Sequence, residues 1–166
     1  MQPSLILLVR SLHILSAIVM FGGILARQIV RREASRSTDA RQFAALTAAS
    51  RRLDSLMVIP GSTAVVALGM ILALMTGAPI LGFLQGANRN WLLAAIVLML
   101  LGTALVPLVF LPQRRRIEAA LRIALQQDRI TAELKVAADD RAAAFWHLVE
   151  EIAVVVIVLL MALRPF

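Results

Sequence analysis

The sequence predicts an all-α membrane protein, a four-helix transmembrane bundle with both termini outside the cytoplasm and helices 2–4 extending into it. Three observations predict this. First, 60% of the residues are hydrophobic and only 16% are charged, with a mean hydropathy of +0.85; a soluble domain is nearer 45–50% and about 25%. Second, apolar runs of about 20 residues, the length that crosses a ~30 Å hydrocarbon core, recur along the chain. Third, the cations are concentrated between alternate runs.

The runs place spans at 5–26, 56–76, 91–111 and 142–163, in one domain over residues 1–166. The first is retained as a helix: Met1-Gln2-Pro3-Ser4 lacks the basic start of a secretory signal, and Arg10 interrupts any signal-type apolar core. The fourth contains Glu150 and Glu151. Without them the apolar run 152–163 is too short to span, so length draws both glutamates into or near the bilayer.

Orientation follows from the loops. Arg27, Arg31, Arg32, Arg36, Arg41, Arg51 and Arg52 lie between the first two spans, and Arg114, Arg115, Arg116, Arg122, Arg129, Lys135 and Arg141 between the last two. These are 14 of the 17 cations, and the loop 77–90 holds only Arg89. Short loops rich in Lys and Arg stay cytoplasmic, and the expected location is a bacterial inner membrane. This pattern accounts for the pI of 11.7 without nucleic acid, for which two tryptophans and no tyrosine offer little stacking surface. The basic collar instead suits anionic lipid headgroups. Trp91 and Trp146 fall at opposite interfaces, as aromatic belts do.

The basic loops read as helical. Thr38-Asp39-Ala40-Arg41 offers a cap, and Phe43, Leu46, Ala49 and Leu53 follow at helical spacing. Helix two then starts before the membrane, with a kink expected at Pro60-Gly61. Apolar positions recur helically over 114–127 and 129–141, with a turn near Gln127-Asp128.

The chain has no cysteine, which excludes disulfides, thiolate metal sites, iron–sulfur clusters and cysteine nucleophiles. The chemistry-bearing residues are His13, in the middle of the first span, and Arg10 one turn before it. An ionisable group at that depth costs roughly 2.5–3.5 kcal/mol and usually faces a bundle interior or a ligand. Arg10, His13, Ser16, Ala17, Met20, Gly23 and Arg27 share one helix face. Ser16, Ala17, Gly22 and Gly23 are small enough to admit another backbone or a flat ligand.

A neutral imidazole is a common metal ligand and the usual proximal ligand of haem iron. The same residues equally suit a structural His13 bonded to a neighbouring helix, with Arg10 snorkelling outward. Counted inward at ~1.5 Å per residue from Arg27 on the first helix and from Arg141 on the fourth, His13 lies about 21 Å deep and His147 about 9 Å. His147 is a secondary metal-ligand candidate that, roughly 12 Å out of level, cannot share an iron with His13 within one chain. Glu150 and Glu151 reach nearer the level of His13, so a charge network of Arg10 or His13 with one glutamate is expected. Helices one and four would then be neighbours. Met20 is on the same helix as His13 and cannot join it on one iron.

The segment Leu12-His13-Ile14-Leu15-Ser16-Ala17-Ile18-Val19-Met20-Phe21-Gly22-Gly23 resembles the first helix of a group of small bacterial membrane proteins. The group comprises an uncharacterised predicted integral membrane protein family, CopD-like copper-resistance domains and HemJ-type protoporphyrinogen oxidases. The resemblance to the uncharacterised family extends to Pro60-Gly61, Thr76-Gly77, Trp91, Leu111-Pro112-Gln113-Arg114-Arg115 and Leu160-Met161-Ala162-Leu163-Arg164-Pro165. It implies four helices and, in the HemJ branch, haem b on the first-helix histidine, which maps onto His13. HemJ-type proteins also use a lysine in a later helix. This chain's one lysine, Lys135, falls in a basic loop. Copper proteins of the CopD type use further His or Met ligands, and here Met57, Met70, Met75 and Met99 are scattered.

Two functions follow as expectations. One is a haem-b-binding membrane protein exchanging electrons with quinone or a reactive oxygen species, with His13, Arg10, Ser16, Ala17, Met20 and Gly23 around the cofactor. The other is a non-catalytic membrane protein, a partner subunit or small transporter. A homodimer is expected because two-fold dimers are the commonest closed assembly and would bring two copies of His13 to one depth.

Topology is directly testable in a chain that has no native cysteine. In intact cells, Asn88→Cys should react with an impermeant thiol reagent and Ser35→Cys should not; labelling of Ser35→Cys from outside would invert the orientation.

Overall fold

In the computed structural model of the chain, residues 3–88 and 90–165 are described; Arg89 lies outside them. The elements are α1 (Pro3–Arg36), α2 (Ala40–Thr76), α3 (Trp91–Gln126), a short α4 (Ala132–Ala138) and α5 (Arg141–Leu163). A 3-10 turn, Gly82–Gln85, lies between α2 and α3. The described residues contain no strand, and four helical segments are long and apolar enough to cross a membrane.

The helices outrun a bilayer. At ~1.5 Å per residue, the 34 residues of α1 extend about 50 Å. The first helix therefore does not end near Ala26: nothing in Arg27–Arg36 breaks it, and it stops only at the Ser37-Thr38 turn. There Asp39 caps α2 by accepting from the backbone N–H of Arg41 and Gln42. The helix expected over 129–141 is shorter than its pattern. Thr131 caps it by accepting from the Leu134 N–H, and Asp140 then caps α5. Lys135 is thus helical and exposed.

At the basic end these extensions build an apolar core of their own. Phe43, Leu121, Ala124 and a fully buried Leu134 close it, with Ala34, Ala40 and Ala120 between them. The cations ring this core. Glu118 takes Arg51 at 2.6 Å and Arg114 at 3.0 Å. The Arg114 hydrogen bond holds its carboxyl below the usual range; burial opposes that shift, and the charges of Arg51, Arg114 and Arg122 reinforce it.

The prolines act through a register change within continuous helices. Asp54–Val58 is a π-turn two residues before Pro60, and Val106–Phe110 is a π-turn two residues before Pro112. Proline brings no N–H to the carbonyl four residues back. In each case the preceding residue donates five residues back instead, Ile59 to Asp54 and Leu111 to Val106. One-turn π segments of this kind are often found at functional sites.

α1 packs chiefly on α2, and α3 on α5; α1 meets α5 only narrowly. The α1–α2 crossing is set by reciprocal glycines. A Cβ at Gly61 would stand 2.9–3.0 Å from the Cβ, Cα and N of Met20, and one at Gly23 would stand 2.7 Å from Met57 Cβ. Gly23 therefore receives α2 of the same chain and is not open to a ligand or a second copy, whereas the half-buried Gly22 is in ordinary contact with the end of the Met57 side chain.

Gly61→Val should lower the thermal stability of the purified protein by about 1–3 kcal/mol, since the Met20 N, Cα and Cβ atoms it would meet are fixed by the α1 backbone. Gly102→Ala, where added atoms meet open space, is the matched control. Equal stabilities in a detergent melt would show that the crossing is loose.

Candidate functional site

Two histidines mark two places at different depths. His13 is half-buried on α1, with Nδ1 at 3.0 Å from the Val65 carbonyl oxygen on α2. A carbonyl only accepts, so Nδ1 carries the hydrogen and Nε2 keeps its lone pair. Gly69 seats the ring: a Cβ there would lie 3.0 Å from Cε1 and 3.4 Å from Nδ1. Arg10 is exposed one turn outward and pairs with no carboxylate among the described residues.

The other residues expected around a cofactor are used differently. The Ser16 hydroxyl donates to the Leu12 carbonyl at 2.8 Å in its own helix, and Ala17 is half-buried. Met20 packs with Ile24 and Val154 as well as against Gly61, and Gly23 packs on Met57. Met20 and Gly23 are thus parts of helix packing.

The charged residues assemble one level toward the basic end, on partners other than those expected. Arg27, 7% exposed, donates to Asp54 on α2 at 3.0 Å and to Glu150 on α5 at 2.5 Å. One turn on, Arg31 donates to His147 Nε2 and, at 3.1 Å, to Gln113 on α3. His147 Nδ1 donates to Glu150 at 3.3 Å, and its ring stacks on Phe110 at 4.2 Å and 4°. All four long helices meet here, with Asp54 opening one π-turn and Phe110 closing the other. Burial, and then Arg27, lower the Arg31 pKa from the ordinary arginine value, while Asp54 and Glu150 oppose that shift.

Glu150 therefore pairs with Arg27, not with Arg10 or His13. The depth count failed because it took Arg141 as the membrane surface. Arg141 lies farther out on an extension, so Glu150 falls at the level of Arg27. The adjacency of helices one and four does hold, through Arg27 and Glu150 and the Met20–Ile24–Val154 cluster. Both nitrogens of His147 are engaged, which leaves no lone pair for a metal. Among the described residues no cluster of three His, Cys, Asp or Glu side chains is arranged to hold a metal ion.

Sequence reasoning placed Arg27 on the right face but missed its role, and it missed Arg31, Asp54, Phe110 and Gln113. The usable signal was that a glutamate forced into a span needs a cation of equal depth, and α1 offers Arg27 and Arg31 one turn apart.

A family profile described as "Predicted integral membrane protein (DUF2269)" matches residues 7–165. The chain belongs to this family. The match spans His13, both π-turns and every member of the charged network, so these features lie within the region that defines the family. No curated protein and no solved structure matches the chain.

Removing one member of a buried ion pair leaves the other charge uncompensated, at a cost of about 3–5 kcal/mol. Arg27→Met, which strands both Asp54 and Glu150, should therefore cost more stability than the same change made together with Asp54→Asn and Glu150→Gln. Detergent melts decide it; a triple variant that is the less stable of the two would show that the network is not a closed buried unit.

Proposed function

We propose that this integral membrane protein binds haem b, with His13 as an axial ligand. The observation that carries the reading is the hydrogen bond from His13 Nδ1 to the Val65 carbonyl. Metal-ligating histidines almost always donate their second ring nitrogen in this way, which fixes the tautomer and turns the free nitrogen toward the metal. His13 has that tautomer, and its ring rests in the place that a Gly69 Cβ would crowd. Arg10, exposed and one turn outward, suits a propionate. The resemblance of the Leu12-His13…Gly22-Gly23 segment to HemJ-type and CopD-like proteins supports the same reading. The missing lysine counterpart argues against protoporphyrinogen oxidase activity, since Lys135 sits at the basic end.

Bound haem would supply reversible one-electron chemistry. The chain's own part is to orient one imidazole, hold its proton at Nδ1 and offer a cation near the outer end. His147 cannot serve as the other axial ligand. His13 is only half-buried, so a second copy of the chain in the membrane of a bacterial cell is the proposed source of the remaining enclosure, and a quinone or reactive oxygen species the proposed redox partner.

A second reading keeps His13 as a tie between α1 and α2 in a non-catalytic membrane protein, the Val65 hydrogen bond joining the two helices directly; it leaves the exposed Arg10 and the resemblance of the Leu12-His13…Gly22-Gly23 segment unused. An absorbance spectrum separates the two. Protein purified from cells supplied with haem precursor should show a Soret band that reduction shifts, and His13→Ala should lose it. A colourless native protein, or an unchanged band in His13→Ala, would leave His13 as a helix tie.

A further inference from the structure

The buried network at the basic end carries an inference independent of the haem reading. An arginine can only donate, so the contact with Arg31 makes His147 Nε2 an acceptor. Its Nδ1 then carries the hydrogen given to Glu150. His147 is thereby neutral, and its one lone pair is the attachment point for Arg31. The network is balanced as it stands: Arg27 and Arg31 face Asp54 and Glu150.

The surroundings of His147 can be stated from every element packed near it. α1 contributes Arg31 and Arg27, and α2 contributes Asp54 through Arg27. α3 contributes the uncharged Gln113 and Phe110, and α5 itself contributes Glu150, already bonded to Arg27. A proton taken from water onto Nε2 would consume the lone pair that accepts from Arg31. It would also set an imidazolium against a guanidinium at a site 4% exposed. Glu150 is already engaged by Arg27, and the half-buried Glu151, one turn along α5, makes no ion pair with His147 among the described residues, so the relief is departure of Arg31.

That departure has a mechanical consequence. Arg31 links α1 to α5 through His147 and to α3 through Gln113. Elsewhere α1 and α5 meet only through the Arg27–Glu150 pair and at Met20, Ile24 and Val154, so Arg31 is one of two polar ties at this joint and the one that depends on the His147 lone pair. The helix breaks between α4 and α5, at Asp139 and Asp140, so α5 is not rigidly continuous with the apolar core at the basic end.

We propose that His147 is a proton-operated latch: neutral, it holds Arg31 and fastens α1 to α5; protonated at Nε2, it releases Arg31 and loosens α5 from α1. The ligand is a proton from the side bearing the basic loops, and histidine is the side chain suited to respond between pH 5 and 8.

The test uses the full chain, purified and reconstituted, with spin labels at Arg32→Cys and Ala144→Cys, both exposed and outside the network. Between about pH 8 and pH 5 the α1–α5 distance should lengthen or broaden by about 2 Å or more, the scale of helix shifts in switching proteins. His147→Gln, which keeps an acceptor but cannot titrate, should hold the short distance throughout. Nitrogen-15 histidine NMR of the native chain supplies a readout that needs no variant at position 147. The imidazole shifted by the stacked Phe110 ring should be the Nδ1–H tautomer at high pH and become doubly protonated over the range in which the distance changes. A distance that is independent of pH, a change that survives in His147→Gln, or an imidazole that stays neutral while the distance moves would each overturn the proposal.

Discussion

The fold depends on one buried guanidinium. Arg27 is 7% exposed and lies where α1 enters its apolar stretch. A charge in that position is tolerated only when paired and hydrogen-bonded. Its two partners come from two other helices, Asp54 from α2 and Glu150 from α5. One desolvated cation thus fixes the relative depth of three helices, and Arg31 adds the fourth through Gln113. Apolar packing could not set these depths, because lipid tails solvate leucine as well as a neighbouring helix does. Buried ion pairs are weak evidence of net stability. What this one supplies is register.

The backbone is shaped to meet that demand. The two π-turns precede their prolines by the same spacing, and each delivers a network residue: Asp54 from the first, Phe110 from the second. A π-turn adds a residue to one turn, which rotates everything after it relative to a regular helix. On α2 that places Gly61 against the Met20 backbone, while Asp54 still reaches Arg27. The prolines, the π-turns and the glycine crossing are therefore one arrangement: the prolines impose a register change, and the polar network and the close α1–α2 contact both use it.

Much of this architecture was legible in the chain. Length and apolarity gave the four crossings, and Asp39 was visible as a helix cap because its side chain can serve backbone N–H groups that the helix leaves free. The small core around Phe43 was half legible: periodicity marked Phe43 and Leu134 as apolar faces, but not that the two would meet. The site was less legible. Depth counted from Arg141 assumed that a run of cations marks the membrane surface, and here the runs continue as helix well beyond it. Face counting put Arg27 and His13 together correctly, yet it could not show that Gly23 was already spoken for by Met57. The π-turns were out of reach, since proline predicts a disturbance without saying which register absorbs it.

The two histidines show how one side chain is set to different uses by what holds it. His13 donates to a backbone carbonyl of the helix with which α1 is most tightly interlocked. A carbonyl oxygen does not change its charge, so nothing near that bond alters the tautomer, and the free nitrogen is presented in a fixed direction. Such constancy suits a ligand or a tie. His147 sits between a carboxylate and a guanidinium at the narrow joint between α1 and α5. Each of its nitrogens faces an ion, and a proton gained there changes the sign of its interaction with Arg31. The same imidazole is thus stationary within the α1–α2 pair and responsive at the joint. The difference follows from the partners, with no need for a difference in the ring.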